Sequence, residues 1–302
     1  MSVVSDSSRK LNPLLSKASW LASGDIRPYV FVRPENKIAN PGTRHHLDWF
    51  SDEPIYKNPL NIEEKEFADA VLKIEWKSFG HQDLAIPKWV FYDCAAMPGF
   101  IAGFAGRTKK MPQIILDELE YSSDNEWCPL SLFIIIPTMH KGEWVAYDLC
   151  AVNSFLPKEN QFYGLGFLSK AFALWYANVE QCSGMTQWGS PSLKLHSHYG
   201  HLELIGAYAP LHTHAKTMTY RCEVNTDCWE KFFTREDDLS FIEKYGPSGL
   251  MIDPQSEESM IAIQKKIQND EGPFYLNALE IAQKNLAEKL NIYQLKQERS
   301  HG

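Results

Sequence analysis

The most constraining feature of this chain is a change of period near residue 160. Residues 143–152 (Glu-Trp-Val-Ala-Tyr-Asp-Leu-Cys-Ala-Val) read as a strand. Residues 167–181 place Leu168, Ala171, Phe172 and Trp175 on one face of a helix. Between them stands Gln161-Phe-Tyr-Gly164-Leu-Gly166. A strand, a glycine-bearing loop and a helix, in that order, suit a phosphate group. The helix start carries unsatisfied N–H donors and roughly half a positive charge, and glycine lets the backbone approach an anion with no Cβ in the way. Neither a GxxxxGK[ST] loop nor the third glycine of GxGxxG is present. The plain alternative is a turn whose glycines merely join strand to helix.

Around this segment the pattern alternates between short apolar runs and amphipathic stretches. Residues 62–79 place Phe67, Val71, Leu72, Ile74 and Trp76 at helical spacing. Residues 88–94 and 99–105, split by Met-Pro-Gly, read as a hairpin, and 131–137 pairs with 143–152 as a second one. Ser183-Gly184 reads as the stop of the helix after the loop. A strand at 185–189 follows, then a short helix over 190–199 with Ser190 as N-cap and Pro191 at its first position. Residues 202–208 and 216–224 read as a closing strand pair. This is an α+β pattern: a mixed, mostly antiparallel sheet flanked by helices over 61–225. An irregular N-terminal arm (1–60), with Trp20, Tyr29, Phe31 and Trp49 as anchors, precedes it. A helical C-terminal extension (226–302), clearest at 261–267 and 276–295, follows.

Composition narrows the function classes. A net charge of −8 supplies no positive field for a nucleic-acid backbone. The longest apolar run, 129–137, is too short to cross a bilayer, and the polar first residues contain no secretory h-region. Six cysteines without a CxxC pair fit reduced thiols in a cytoplasmic protein rather than a thiolate zinc site.

Gln161, Gly164 and Gly166 fall in the pattern Q-x-x-G-x-G, and here the chain resembles the GNAT superfamily of acyl-CoA N-acyltransferases. The order of elements over about 65–225 is similar too, although the connection from Val152 to Gln161 is longer than is usual there. The resemblance implies acetyl-CoA or a longer acyl-CoA as donor, with Gln161, Phe162, Tyr163, Gly164, Leu165 and Gly166 cradling its pyrophosphate. It implies that the main chain of Leu149, Cys150, Ala151 and Val152 meets the thioester and pantetheine. The acceptor would be a small-molecule or protein amine. Acyl transfer needs a base for the amine proton and an acid for the departing thiolate. Asp148, on the strand before the loop, is the expected base, and Tyr199, after the second helix, the expected acid. A salt-bridged strand carboxylate and a packing tyrosine are the bland readings of these two.

Five histidines, His196, His198, His201, His212 and His214, lie within nineteen residues. Two HxH pairs at strand-like spacing would point each pair's rings the same way, and 206–214 matches the opening of a cupin metal motif without its glutamate. A metal-dependent enzyme built on residues 196–214, or a non-catalytic binding module, therefore stand as alternatives.

Overall fold

In a computed structural model, residues 18–37, 53–224 and 239–296 are described. In chain order the strands are β1 (Ile26–Phe31), β2 (Ile55–Lys57), β3 (Phe100–Arg107), β4 (Trp127–Pro129), β5 (Ser131–Pro137), β6 (Glu143–Ala151), β7 (Gln181–Gln187), β8 (Leu202–Gly206), β9 (Thr217–Glu223), β10 (Tyr245–Ile252), β11 (Tyr275–Leu276) and β12 (Leu290–Leu295). The helices are α1 (Lys65–Phe79), α2 (Lys88–Ala96), α3 (Gln113–Leu119), α4 (Leu165–Tyr176), α5 (Pro191–Ser197), α6 (Leu239–Lys244), α7 (Glu257–Gln268) and α8 (Ala278–Gln283). Among the described residues all twelve strands join one sheet, ordered β10-β12-β11-β8-β9-β7-β6-β5-β3-β1-β2, with β4 on β3. Its ladders are antiparallel except β1–β2 and β6–β7. The expected class, a mixed and mostly antiparallel sheet flanked by helices, is the one observed.

Alternation along β5 and β6 sorts side chains between two helical layers. Asp148 and Cys150 face α1, where Glu75 and Ser78 lie. Ser131 faces α4, its Oγ 2.7 Å from that of Ser169. The apolar core runs through both layers from Ala18 to Ile292.

Three local expectations fail for identifiable reasons. Residues 88–94 form α2, not a strand: Phe91, Cys94 and Ala95 are buried at helical spacing while Trp89 and Tyr92 stay exposed. Their β-prone aromatics had masked that period. The arm over 1–60 is not irregular throughout, because β1 lies between β3 and β2. Pro28 is tolerated there because β2 pairs only with Tyr29, Val30 and Phe31, so no neighbour asks for its missing N–H. In the C-terminal region 276–295 is not one helix. The Glu280 carboxylate gathers Lys284, the main-chain and side-chain N–H of Asn291, and the Tyr293 hydroxyl, folding the chain back into β12. The expected anchor Trp49 lies outside the described residues.

α4 also stops earlier than its pattern suggested. It ends at Tyr176, Asn178 adopts φ 51°, and Ser183-Gly184 belongs to β7 rather than to a helix stop. α5 begins as expected, with Ser190 accepting the Ser192 N–H.

Candidate active site

The site begins with a parallel pair that comes apart. β6 and β7 pair from Glu143↔Gln181 to Ala146↔Gly184 and no further. Beyond that point β6 continues on β5 as far as Ala151, and β7 continues on β9 as far as Gln187. Each strand keeps its outer neighbour and loses the inner one, so a gap opens between them. The β5–β6 register shifts at the same place: Ile135 opposes Ala146 and Ile134 opposes Asp148, leaving Tyr147 as the extra residue. Such a bulge bends and twists its strand, which gives the divergence a local cause. It also brings Tyr147 and Asp148 to one face, where partial burial, reinforced by Cys94, Asp148 and Glu75, raises the Tyr147 pKa.

The glycine loop lies at the far end of β6 and is tightly braced. The Asn153 side chain clamps Phe162 from both sides, Nδ2 donating to its carbonyl at 2.7 Å and Oδ1 accepting its N–H at 2.9 Å. Gln161 turns inward, its Nε2 donating to the carbonyls of Asn153 at 3.0 Å and Leu156 at 2.8 Å. Two 3-10 turns, Val152–Ser154 and Lys158–Asn160, take up the long connection before the loop. Gly164 sits at φ 75° as the N-cap of α4, a conformation that other residues enter at a cost. Leu165 is buried, Tyr163 is half-exposed, and a Cβ on Gly166 would touch only Leu195, at 3.7 Å. No acceptor faces the Gly166 N–H among the described residues. Main-chain donors at a glycine-started helix of twelve residues fit a pyrophosphate.

Of the four main-chain positions expected at the thioester, Leu149, Cys150 and Ala151 lie along the unzipped part of β6. Val152 is placed differently. Its N–H donates to Leu130 and its carbonyl accepts from Phe155 and Leu156, so both polar groups are engaged in the turn.

Asp148 is half-buried, but its Oδ2 is shielded from solvent and has no hydrogen-bond partner among the described residues. Burial, reinforced by the neighbouring Glu75, pushes its pKa up to about 8, against a smaller opposing pull from the Leu149 N–H. Glu75 is buried on α1, accepts the Ile86 N–H at 2.8 Å, and is itself raised by burial. Two facing carboxyls with raised pKa values form a group that keeps a proton near neutrality. Glu75 went unnoticed in the sequence. Its signal was there, a charged residue four after Val71 and one after Ile74 on the apolar side of the helix.

Tyr199 is placed elsewhere. It is buried, its ring stacks on Phe167 at 5.0 Å, and its hydroxyl donates to the Phe167 carbonyl at 2.5 Å. Burial raises its pKa well above the ordinary value. That hydroxyl is engaged in packing α5 against α4.

The histidines do not converge. His196 is on α5 and His198 is its C-cap, so the pair is helical and the rings diverge rather than aligning as on a strand. His196 Nδ1 meets Lys170 Nζ at 2.9 Å, and His201 Nδ1 accepts the Ala278 N–H. His214 reaches the Gln82 carbonyl at 3.2 Å, joining the β8–β9 loop to the α1–α2 connection. No group of three or more potential metal ligands gathers among the described residues. Nor is any described helix long and apolar enough to cross a membrane.

No protein-family model and no curated protein matches the chain. Among solved structures it is similar in part to the ribosomal-protein-S18-alanine N-acetyltransferase from Escherichia coli (10% identity, 55% of this chain and 92% of that one, TM-score 0.37). It is similar to the same extent of its own length to the NatC complex bound to Gag peptide and CoA (11% identity, 55% and 96%, TM-score 0.37). Nourseothricin acetyltransferase is a further neighbour (9% identity, 42% of this chain, TM-score 0.29), and the chain spans 64% of its length.

Proposed function

We propose that the chain is an acyl-CoA-dependent N-acyltransferase in which the acceptor amine attacks the donor directly. The observation that carries this reading is the gap between β6 and β7, opened by the Tyr147 bulge and leading to the glycine-capped start of α4. An extended pantetheine arm suits such a gap, because the unzipped strand edges present main-chain groups to it, and the glycine start of α4 suits a pyrophosphate. When bound, acyl-CoA supplies an activated thioester. Leu149, Cys150 and Ala151 would line the arm, and Gly164 and Gly166 would meet the pyrophosphate.

In this reading Asp148, in its ionised form, takes the proton from the acceptor nitrogen, and Glu75 tunes how readily it does so. Tyr147 keeps its own proton because burial and the anionic neighbours raise its pKa. We assign it, rather than Tyr199, the donation of a proton to the departing thiolate. The amine proton thus goes to Asp148 and the thiolate is protonated by Tyr147. The acceptor would enter on the α1–α2 side, where the Ile86 N–H meets Glu75.

The test is binding. Acetyl-CoA or a longer acyl-CoA is expected to raise the melting temperature of the wild-type protein. Gly164→Asp, which places a carboxylate at φ 75° beside the phosphates, is expected to abolish the shift. No shift with any acyl-CoA, or an undiminished one in Gly164→Asp, would sink the proposal.

A further inference from the structure

We infer that Trp20 is a positioning residue for the glycine loop, a role that rests on the acyl-CoA reading above. Trp20 lies in a 3-10 turn, Ser19–Ser23, just before β1. Its indole Nε1 donates to the Tyr163 carbonyl at 3.0 Å. Its ring meets Phe104 at 5.3 Å and Phe162 at 6.3 Å, edge-on in both cases.

This contact acts on the peptide unit that joins Tyr163 to Gly164. In a trans peptide the C=O and N–H point in opposite directions. Drawing the Tyr163 oxygen toward the indole therefore aims the Gly164 N–H the other way. Asn153 does the same one unit earlier, holding the Phe162 oxygen at 2.7 Å. Two consecutive carbonyls are thus held, the first also by the Leu165 N–H at 3.2 Å, and the Gly164 N–H is aimed away from the indole at the start of α4. Without such restraint a carbonyl could rotate toward the anion, and glycine would not resist that rotation.

The turn that carries Trp20 is itself fixed. The Ser23 hydroxyl donates to the Trp20 carbonyl at 2.8 Å and accepts the Asp25 N–H at 3.1 Å. The Arg107 N–H of β3 donates to the Asp25 carbonyl at 2.7 Å. Gly24, at φ 68° with open space around it, lets the chain turn from this bend into β1. The N-terminal segment is thereby tied to the sheet on one side and to the cofactor loop on the other.

Trp20→Phe removes the indole donor and keeps an aromatic ring against Phe104 and Phe162. Calorimetric titration should then show CoA binding weakened about fivefold, the worth of one net hydrogen bond. Binding of acetyl-pantetheine, which lacks the pyrophosphate, should be unchanged. Unchanged CoA affinity, or an equal loss for both ligands, would overturn the role given to Trp20 while leaving the acyl-CoA reading in place. Failure of the wild-type protein to bind CoA would overturn both.

Discussion

Two buried polar clusters lie on opposite faces of the same sheet, and they resolve the cost of burial differently. On the α1 face, Asp148 and Glu75 are acids whose pKa values are raised. On the α4 face, Lys170 and His196 are bases whose pKa values are lowered, chiefly by burial. Lys170 is fully engaged. Its Nζ meets His196 Nδ1 at 2.9 Å and donates to the Tyr220 hydroxyl at 3.2 Å, and it lies over the rings of Phe133, Tyr199 and Tyr220. Gly184 makes room for that hydroxyl, since a Cβ there would stand 2.6 Å from it. Asp148, by contrast, has an oxygen with no partner among the described residues, next to a strand gap. A satisfied cluster specifies packing. An unsatisfied one beside an opening is the group that the proposed reaction would use.

The sharpest way to break this contrast is Asp148→Asn. Loss of a general base costs on the order of a hundredfold or more in rate, so kcat/KM with a turned-over amine should fall by at least that much. In the wild-type protein kcat/KM should rise with pH through an apparent pKa of about 8, and the rise should vanish in the variant. Stability should move the other way. Because the folded state holds the Asp148 proton more tightly than the unfolded chain, wild-type stability is lost as pH rises from about 4 toward 8. The Asn variant should therefore melt at least as high as wild type at pH 9. An active variant with a wild-type pH profile would return Asp148 to a structural role.

A smaller effect separates the two tyrosines. Tyr147→Phe should lower kcat roughly tenfold with little change in melting temperature, as expected for a half-exposed side chain whose hydroxyl acts as an acid. Tyr199→Phe should do the reverse, keeping kcat while losing about 1–2 kcal/mol of stability, because the buried Phe167 carbonyl loses its donor. If Tyr199→Phe instead lost turnover at full stability, the assignment of the acid would revert to Tyr199.

These tyrosines also mark how far the sequence could be read. The loop, its strand and its helix were legible because period and glycine placement are local properties. The closing pair β8–β9 and the capped start of α5 were legible for the same reason. What set Tyr147 apart from Asp148 was a register shift against Ile134 and Ile135, and pairing register between strands is written in no single segment. Glu75 needed knowledge of which strand its helix covers, and Asn153 needed the fold of a connection that shows no period. The anchor Trp20 was picked out as an aromatic in a polar arm, but its contact with Tyr163, 143 residues away, belongs to tertiary structure alone. The misread α2 shows the converse. A strong local composition of aromatic and β-branched residues outweighed a burial period that appears only once Phe31 is packed against Phe91, at 5.8 Å.

The smallest expected effect tests the α4 face. Lys170→Met keeps the length of the side chain, removes the amine, and leaves the gap and the glycine loop untouched. Turnover should stay within about threefold of wild type, since the change falls in the packed layer rather than among reacting groups. Two terms oppose each other in stability. His196 and Tyr220 each lose a partner, at about 1 kcal/mol apiece, while the cost of burying the amine disappears. That second cost arises because the unfolded chain binds the Lys170 proton more tightly than the folded one. Wild-type stability therefore gains from this group as pH rises toward the ordinary lysine value, and loses as pH falls. The Met variant should look best against wild type in neutral and mildly acidic buffer, and that relative gain should shrink as pH climbs toward 10. A hundredfold loss of activity in a folded Lys170→Met protein would show that the two faces do not divide packing from chemistry as their hydrogen bonding implies.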